Sequence, residues 1–388
     1  MHPLPVSTTS PTLPSSRPER LLSLDFFRGL TVAGMILVNN PGDWGHIYPP
    51  LEHAPWNGWT PTDLIFPFFL FIVGVSITFA LDGAQNGAVR REQKDVVGKI
   101  VRRSLTLFGL GVFLNLFPGF NFATFRIPGV LQRIALVYLA ASLIFLNTTP
   151  RQQGWIVVGL LVGYWLLMTL VPVPGVGYAN LEPTTNLGAW LDRTVLGIHV
   201  YKATRVWDPE GILSTLPAIG TGLLGVLTGT WLRSGRVASE KIAWLFTAGI
   251  LTTLAACVWD TVFPINKQLW TSSYVLLAAG LAMLGLATCY WLIDVQGRRR
   301  GTGVGVAFGV NAITVFFLSG LIPRVMNLIR VTRPDGTETN ARQWLYETFF
   351  VPYFADPRNA SLAGAVTFVL IWAVILGWMH RKNVIIKV

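Results

Sequence analysis

Stretches of roughly 20 predominantly apolar residues recur along the whole chain, and no other feature constrains its fold as strongly. In lipid such a segment must satisfy its backbone hydrogen bonds internally, so each stretch predicts a membrane-crossing helix. Ten are predicted, at about 24–40, 61–81, 100–117, 128–147, 154–172, 213–232, 241–262, 271–294, 304–328 and 359–379. An outer-membrane barrel would instead alternate polar and apolar residues over about ten positions. Hydrophobic residues make up 52% of the chain and charged residues 13%, where a soluble domain carries about 25% charged residues. The expected class is an all-α polytopic membrane protein of about ten transmembrane helices.

The net charge of +11 does not point to nucleic acid, because the basic residues sit in short clusters between spans. Those clusters (Arg17 and Arg20; Arg90 to Arg103; Arg151; Arg233 to Lys241; Arg298 to Arg300; Arg381 to Lys387) alternate with poorer segments. By the positive-inside rule both termini are expected in the cytoplasm. Residues 1–20 are rich in Pro, Ser and Thr and have no apolar core, which predicts a disordered cytoplasmic tail and not a cleaved signal peptide. Residues 21–388 are expected to form one ten-span domain with long extracytoplasmic loops at about 41–60, 173–212 and 329–358. Cys257 and Cys289 both fall in apolar spans and offer neither a disulfide framework nor metal-ligand spacing. No phosphate-binding GxxxxGK[ST], HExxH zinc motif or GxSxG nucleophile elbow is present, and no metal is expected. The absence of an evident inverted repeat weighs against a secondary transporter.

Chemistry is expected where polar groups sit at costly depths or in long irregular loops. Residues 39–67 carry two of the five His, three Trp (Trp44, Trp56 and Trp59) and no Lys or Arg. Within them, His53 precedes Asp63 by ten residues, the residue types of an imidazole base held by a carboxylate. Thr60-Pro61-Thr62-Asp63 also has the form of a helix start, with Thr60 as N-cap and Asp63 in a capping-box position, so a purely structural role for Asp63 stands beside the catalytic one. Asp25 and Arg28 can pair on one helix face, either as a functional pair or as an interfacial anchor. Asn39 follows Arg28 by eleven residues and projects from the same face about 16 Å away, which suits a polar path across the bilayer or a helix–helix hydrogen bond. Further candidate binding residues are Asn40, Trp56, Asn57, Arg133, Asp208, Glu210, Lys267 and Asn311.

RLLSLDFFRGLTVAGMILVNNPG, HAPWNGWTPTDLIFPFFLFIVGVSI, RIPGVLQRIALVY, LEPTTNLGAWLDR, DPEGILSTLPAIGT and NKQLWTSSYVL resemble blocks of the heparan-α-glucosaminide N-acetyltransferase family. The resemblance runs from about Arg20 to the tenth span. It is nearest to the shorter bacterial form, without the luminal N-terminal part and extra span of the lysosomal members, so a multi-pass protein of the bacterial inner membrane is expected. The resemblance implies transfer of an acetyl group from cytoplasmic acetyl-CoA to an amino sugar or glycan acceptor on the other side. It places the active-site His at His53, the following acid at Asp63 and the Asn ending the first span at Asn39. His53 would act as general base or acetyl carrier, with Asn39 or Asn57 donating to the oxyanion. It also suggests a homodimer. A weaker similarity joins the first span to ten-span sugar O-acyltransferases, whose His lies where this chain has Asn39. An amino-sugar transporter, with His53 coupling protons, is the alternative from another class.

Overall fold

The computed structural model describes residues 21–86, 90–382 and 384–386; the tail expected to be disordered, 1–20, lies outside them. The long helices are α1 (Leu22–Asn39), α2 (Pro61–Asn86), α3 (Arg90–Leu116), α4 (Val130–Asn147) and α5 (Pro150–Leu170). A short helix α6 (Leu187–Leu196) precedes α7 (Thr215–Leu232), α8 (Ala238–Asp260) and α9 (Ser272–Cys289). Then come α10 (Thr302–Val310), α11 (Ala312–Met326), a hairpin of β1 (Arg330–Thr332) and β2 (Glu338–Asn340), α12 (Ala341–Phe349) and α13 (Pro357–Arg381). The hairpin is antiparallel, with Val331 opposite Thr339.

A helix stands at each predicted span, and the architecture is an all-α polytopic membrane protein. Eight of these helices are long and apolar enough to cross a bilayer. Two positions differ from expectation. In α3, Lys99, Arg102 and Arg103 interrupt the apolar run, leaving 13 residues from Ser104 to Leu116, too few for a core that needs about 20. The stretch written as one span at 304–328 is a pair, α10 and α11, bent by 81°. Asn311 lies in the break; its amide oxygen accepts from the Ile386 backbone N–H (3.0 Å) and its nitrogen donates to Ala307 O (3.3 Å).

Small residues bring the helices together. A Cβ on Gly29 would lie 1.7 Å from Gly305 O, and one on Gly74 would lie 1.9 Å from Gly222 O. The first close approach seats α1 on α10, and the second seats α2 on α7. Contacts among 40–60, 117–129, 171–214, 261–271 and 327–356 gather these connections at one end of the bundle, the loop end: Gly58 N–H donates to Ile265 O, Ile127 N–H to His199 O and Arg342 Nη2 to Pro41 O. Buried Trp270, Phe66, Tyr274 and Ile134 belong to the main apolar core beneath it.

Candidate active site

The start of α2 organises the loop that precedes it. Asp63 is fully buried, and one of its oxygens accepts from the backbone N–H groups of Ala54 and Thr60, both at 3.0 Å, and from the Thr60 hydroxyl at 3.2 Å. The capping-box half that reaches back to Thr60 is therefore present. The other oxygen lies 2.7 Å from His53 Nδ1. A carboxylate can only accept, so Nδ1 carries a proton, and in the neutral imidazole Nε2 is the acceptor. The His53 side chain is 44% exposed, so one edge of the ring can be approached from outside.

Lys267 completes the cluster. Its Nζ lies 3.0 and 3.1 Å from Nδ1 and Nε2 of His53 and 3.7 Å from Asp63. Burial pushes its ammonium below the usual lysine range, against the pull of Asp63 and Glu210. Two contacts fix the connection between α8 and α9 against the His53 loop. Gly58 N–H donates to Ile265 O at 2.8 Å, and Asn266 Nδ2 donates to Asn57 Oδ1 at 3.2 Å. Trp270, in the left-handed region at φ 53°, donates from its indole N–H to Thr221 and stacks edge-on with Phe66 and Tyr274. Such a backbone is costly for a bulky residue and persists only when the surroundings hold it. Tyr274 in turn donates its hydroxyl to the main-chain oxygen of Asp63 at 2.5 Å.

A second charged group lies on the same end. Arg126 bonds Asp208 through Nε (2.8 Å) and Nη2 (2.5 Å), and also Glu210. Burial opposes the charge on Glu210, yet Arg126, Arg133 and Lys267 hold its carboxyl below the usual range. Fully buried Arg133 donates to Pro209 O (3.0 Å), Gly211 O (3.1 Å) and the Ser214 hydroxyl, with its guanidinium 5.0 Å from the Trp270 ring. Asp192 of α6 accepts from the backbone N–H groups of Asp208 (3.1 Å) and Ile212 (3.0 Å). Burial pushes Asp192 up to about 6, against those two N–H groups. The 208–211 turn is thus clamped from both sides, and its carboxylates are committed to Arg126.

At the opposite end, a cavity of about 650 Å³ opens among α1, α2, α3, α4, α10 and α11, with Arg28, Ser76, Arg103 and Tyr138 among its lining. Arg28 bonds Asp25 (3.1 Å), Gly309 O (3.2 Å) and the Ser76 hydroxyl (2.7 Å). Arg103 lies over the Tyr138 ring at 5.0 Å. Ile385 and Ile386, which follow α13, also line it.

The predicted residues therefore fall into separate groups. His53, Asp63 and Lys267 meet at the loop end, with Asn57 bonded to the neighbouring Asn266. Trp56 packs edge-on against Trp207 and donates to Leu181 O at 3.0 Å. Asp208, Glu210 and Arg133 belong to the clamped turn, Asp25 and Arg28 to the large cavity, and Asn311 to the α10–α11 break. Asn39 is exposed at the last position of α1, and among the described residues no hydrogen bond joins it to His53 or Asp63. Asn40 donates to Ile36 O at 3.0 Å and borders a small separate cavity. Arg126, Thr60, Tyr274 and Asp192 were not among the sequence candidates. Among the described residues no cluster of three His, Cys, Asp or Glu side chains is placed to hold a metal.

The profile of the family "Heparan-alpha-glucosaminide N-acetyltransferase, catalytic" matches residues 20–258, more than half of the chain. The chain belongs to this family. It is 32% identical over 357 residues to the heparan-alpha-glucosaminide N-acetyltransferase of Homo sapiens, covering 78% of this chain and 53% of that protein. It is 30% identical over 356 residues to the Mus musculus protein of the same name, with the same coverage. The chain spans about half the length of these curated relatives. Within the heparan-alpha-glucosaminide N-acetyltransferase family match lie His53, Asp63, Arg126 and Asp208, whereas Lys267, Asn311 and Arg342 lie beyond its end.

Proposed function

We propose that this protein transfers an acetyl group from acetyl-CoA to an amino sugar or glycan amine, with His53 as the base. The observation that carries this reading is the 2.7 Å contact of His53 Nδ1 with fully buried Asp63, on a side chain that is 44% exposed, in a chain of this family. The acceptor nitrogen attacks the thioester carbonyl while Nε2 takes its proton; the carbon–sulfur bond then breaks and the departing thiolate recovers a proton from the imidazolium. Asp63 holds the ring and stabilises its cationic form. Lys267 Nζ, 3.1 Å from Nε2, is in reach of a carbonyl oxygen bound there and can donate to the developing oxyanion.

The large cavity is the donor site in this reading. Arg28 and Arg103 supply positive charge for a phosphorylated nucleotide, and the apolar walls accept the arm. Ser76 follows Asp63 by thirteen residues on α2, about 20 Å along the axis. An extended pantetheine arm of about 15–20 Å reaches that separation at its full length and spans about one-half to two-thirds of a 30 Å hydrocarbon core. The cavity end faces the cytoplasm in this reading, the His53 end faces the opposite side, and the membrane is the bacterial inner membrane.

The test compares purified wild type with His53→Ala and His53→Gln, using labelled acetyl-CoA and glucosamine. Acetylated sugar from wild type, with both variants folded and inactive, is the expected result. Equal product from all three removes His53 from the chemistry.

A further inference from the structure

A second cavity at the loop end, about 100 Å³, lies among the ends of α1 and α11, α12 and α13, lined by Asn40, Arg342, Tyr346, Phe350 and Phe368 among others. It is far below the about 300 Å³ of a drug-sized ligand site and suits one small group. Arg342 is the charged residue in its wall. Its Nη2 donates to Pro41 O at 2.9 Å, and among the described residues it makes no other hydrogen bond and no ion pair. Arg126 and Arg333, by contrast, each hold a carboxylate through two nitrogens.

Three features oppose an uncompensated cation here. The guanidinium is half-buried, and burial pushes its titration below the usual arginine range. It sits at the second residue of α12, where the positive end of the helix dipole disfavours a cation. Its planar fork of N–H donors is built for a two-point anion partner, and no carboxylate fills that role among the described residues. The walls are also well defined. Tyr346 packs on Gly42, where a Cβ would come within 2.5 Å of its ring.

The surface around the cavity, which Leu345 joins to its wall, carries the identity of the anion. α12 and the residues after it expose Leu345, Phe349, Val351, Tyr353 and Phe354, beside exposed Leu328 and Ile329. An apolar surface next to a cation at the end of a membrane bundle is the pattern of an element lying in the headgroup layer. We propose that this cavity is a phosphate-binding site, in which Arg342 and Asn40 hold the phosphate of a phospholipid headgroup while its chains lie over the Phe349 side of α12. This site is separate from the His53 cluster and from the large cavity, and its occupancy does not depend on the acetyl-transfer reading.

The test is thermal unfolding of the purified full chain in nonionic detergent, with short-chain phosphatidylglycerol, the matching phosphate-free diacylglycerol, or inorganic phosphate. Phosphatidylglycerol is expected to raise the wild-type melting temperature by about 2–4 °C, and diacylglycerol to leave it unchanged. Arg342→Gln should abolish the shift, and Arg342→Lys, which keeps the charge without the fork, should retain at most a third of it. If Arg342→Gln fails to fold, Arg342→Lys alone decides. Phe349→Ser should weaken the lipid response and not any response to inorganic phosphate. An Arg342-dependent shift from inorganic phosphate alone supports the site and names a soluble anion as its ligand. No shift with either phosphate compound, or the same shift in wild type and both Arg342 variants, overturns the proposal.

Discussion

The two ends of this bundle solve the problem of polar groups in a membrane differently. At the loop end, His53, Asp63 and Thr60 lie within eight residues of α2's start and bond one another, so the imidazole is fixed before any substrate arrives. At the other end, Arg28 is held by Asp25, Ser76 and Gly309 at the edge of a space framed by six helices. In the proposed reading the first arrangement is a preset base, and the second is a donor cavity with Arg28 in its wall. A reaction that needs a held base and a long donor requires both, which is why substitutions at the two ends should act on different kinetic constants.

The largest effect should follow His53→Ala, a fall in kcat of about 10³-fold, in the range of general-base catalysis, with the KM for acetyl-CoA little changed. Asp63→Asn should cost about 10²-fold in kcat, because an amide neither enforces the Nδ1–H tautomer nor stabilises the imidazolium. It should also lower the melting temperature, since the buried carboxylate accepts from Ala54 and Thr60. Arg28→Gln should show the reverse split, raising the KM for acetyl-CoA about tenfold through one lost charge-assisted contact, with kcat close to wild type. If Arg28→Gln instead lowers kcat alone, the two ends are not separate in function.

How much of this was legible in the sequence depends on distance along the chain. The apolar runs announced the helices because length and composition are local properties. His53 with Asp63, ten residues apart, and Asp25 with Arg28, three apart, were legible for the same reason. The partner of Asp208 and Glu210 was not, because Arg126 lies 82 and 84 positions away. Lys267 was legible as a candidate binding residue, but its place beside His53, 214 positions off, depends on how α8 and α9 turn back over the loop. The bend between α10 and α11 was hidden because a single Asn inside an apolar stretch is compatible with a straight helix, and what Asn311 bonds, the Ile386 backbone, comes from the end of the chain. Asn39 shared a helical stripe with Arg28 as periodicity requires, yet periodicity cannot say whether the end of that stripe meets the loop.

The smallest effect concerns the clamp on the 208–211 turn. Asp192 titrates at about 6 in the folded protein against an ordinary 3.8. Between those values the folded state keeps a proton that the unfolded chain releases, so stability is full below about pH 4 and falls as pH rises through 6. The wild-type melting temperature should therefore drop by about 2–4 °C between pH 4.5 and 7, and Asp192→Asn should flatten that slope. An unchanged slope would assign the pH dependence to other groups.

The division of labour between the two ends is tested most directly in proteoliposomes of uniform orientation, with labelled acetyl-CoA confined to the Arg28 face and glucosamine to the His53 face. The account predicts acetylglucosamine on the His53 side in this arrangement and none when the two substrates are exchanged. Product that forms only when donor and acceptor share one face would contradict it.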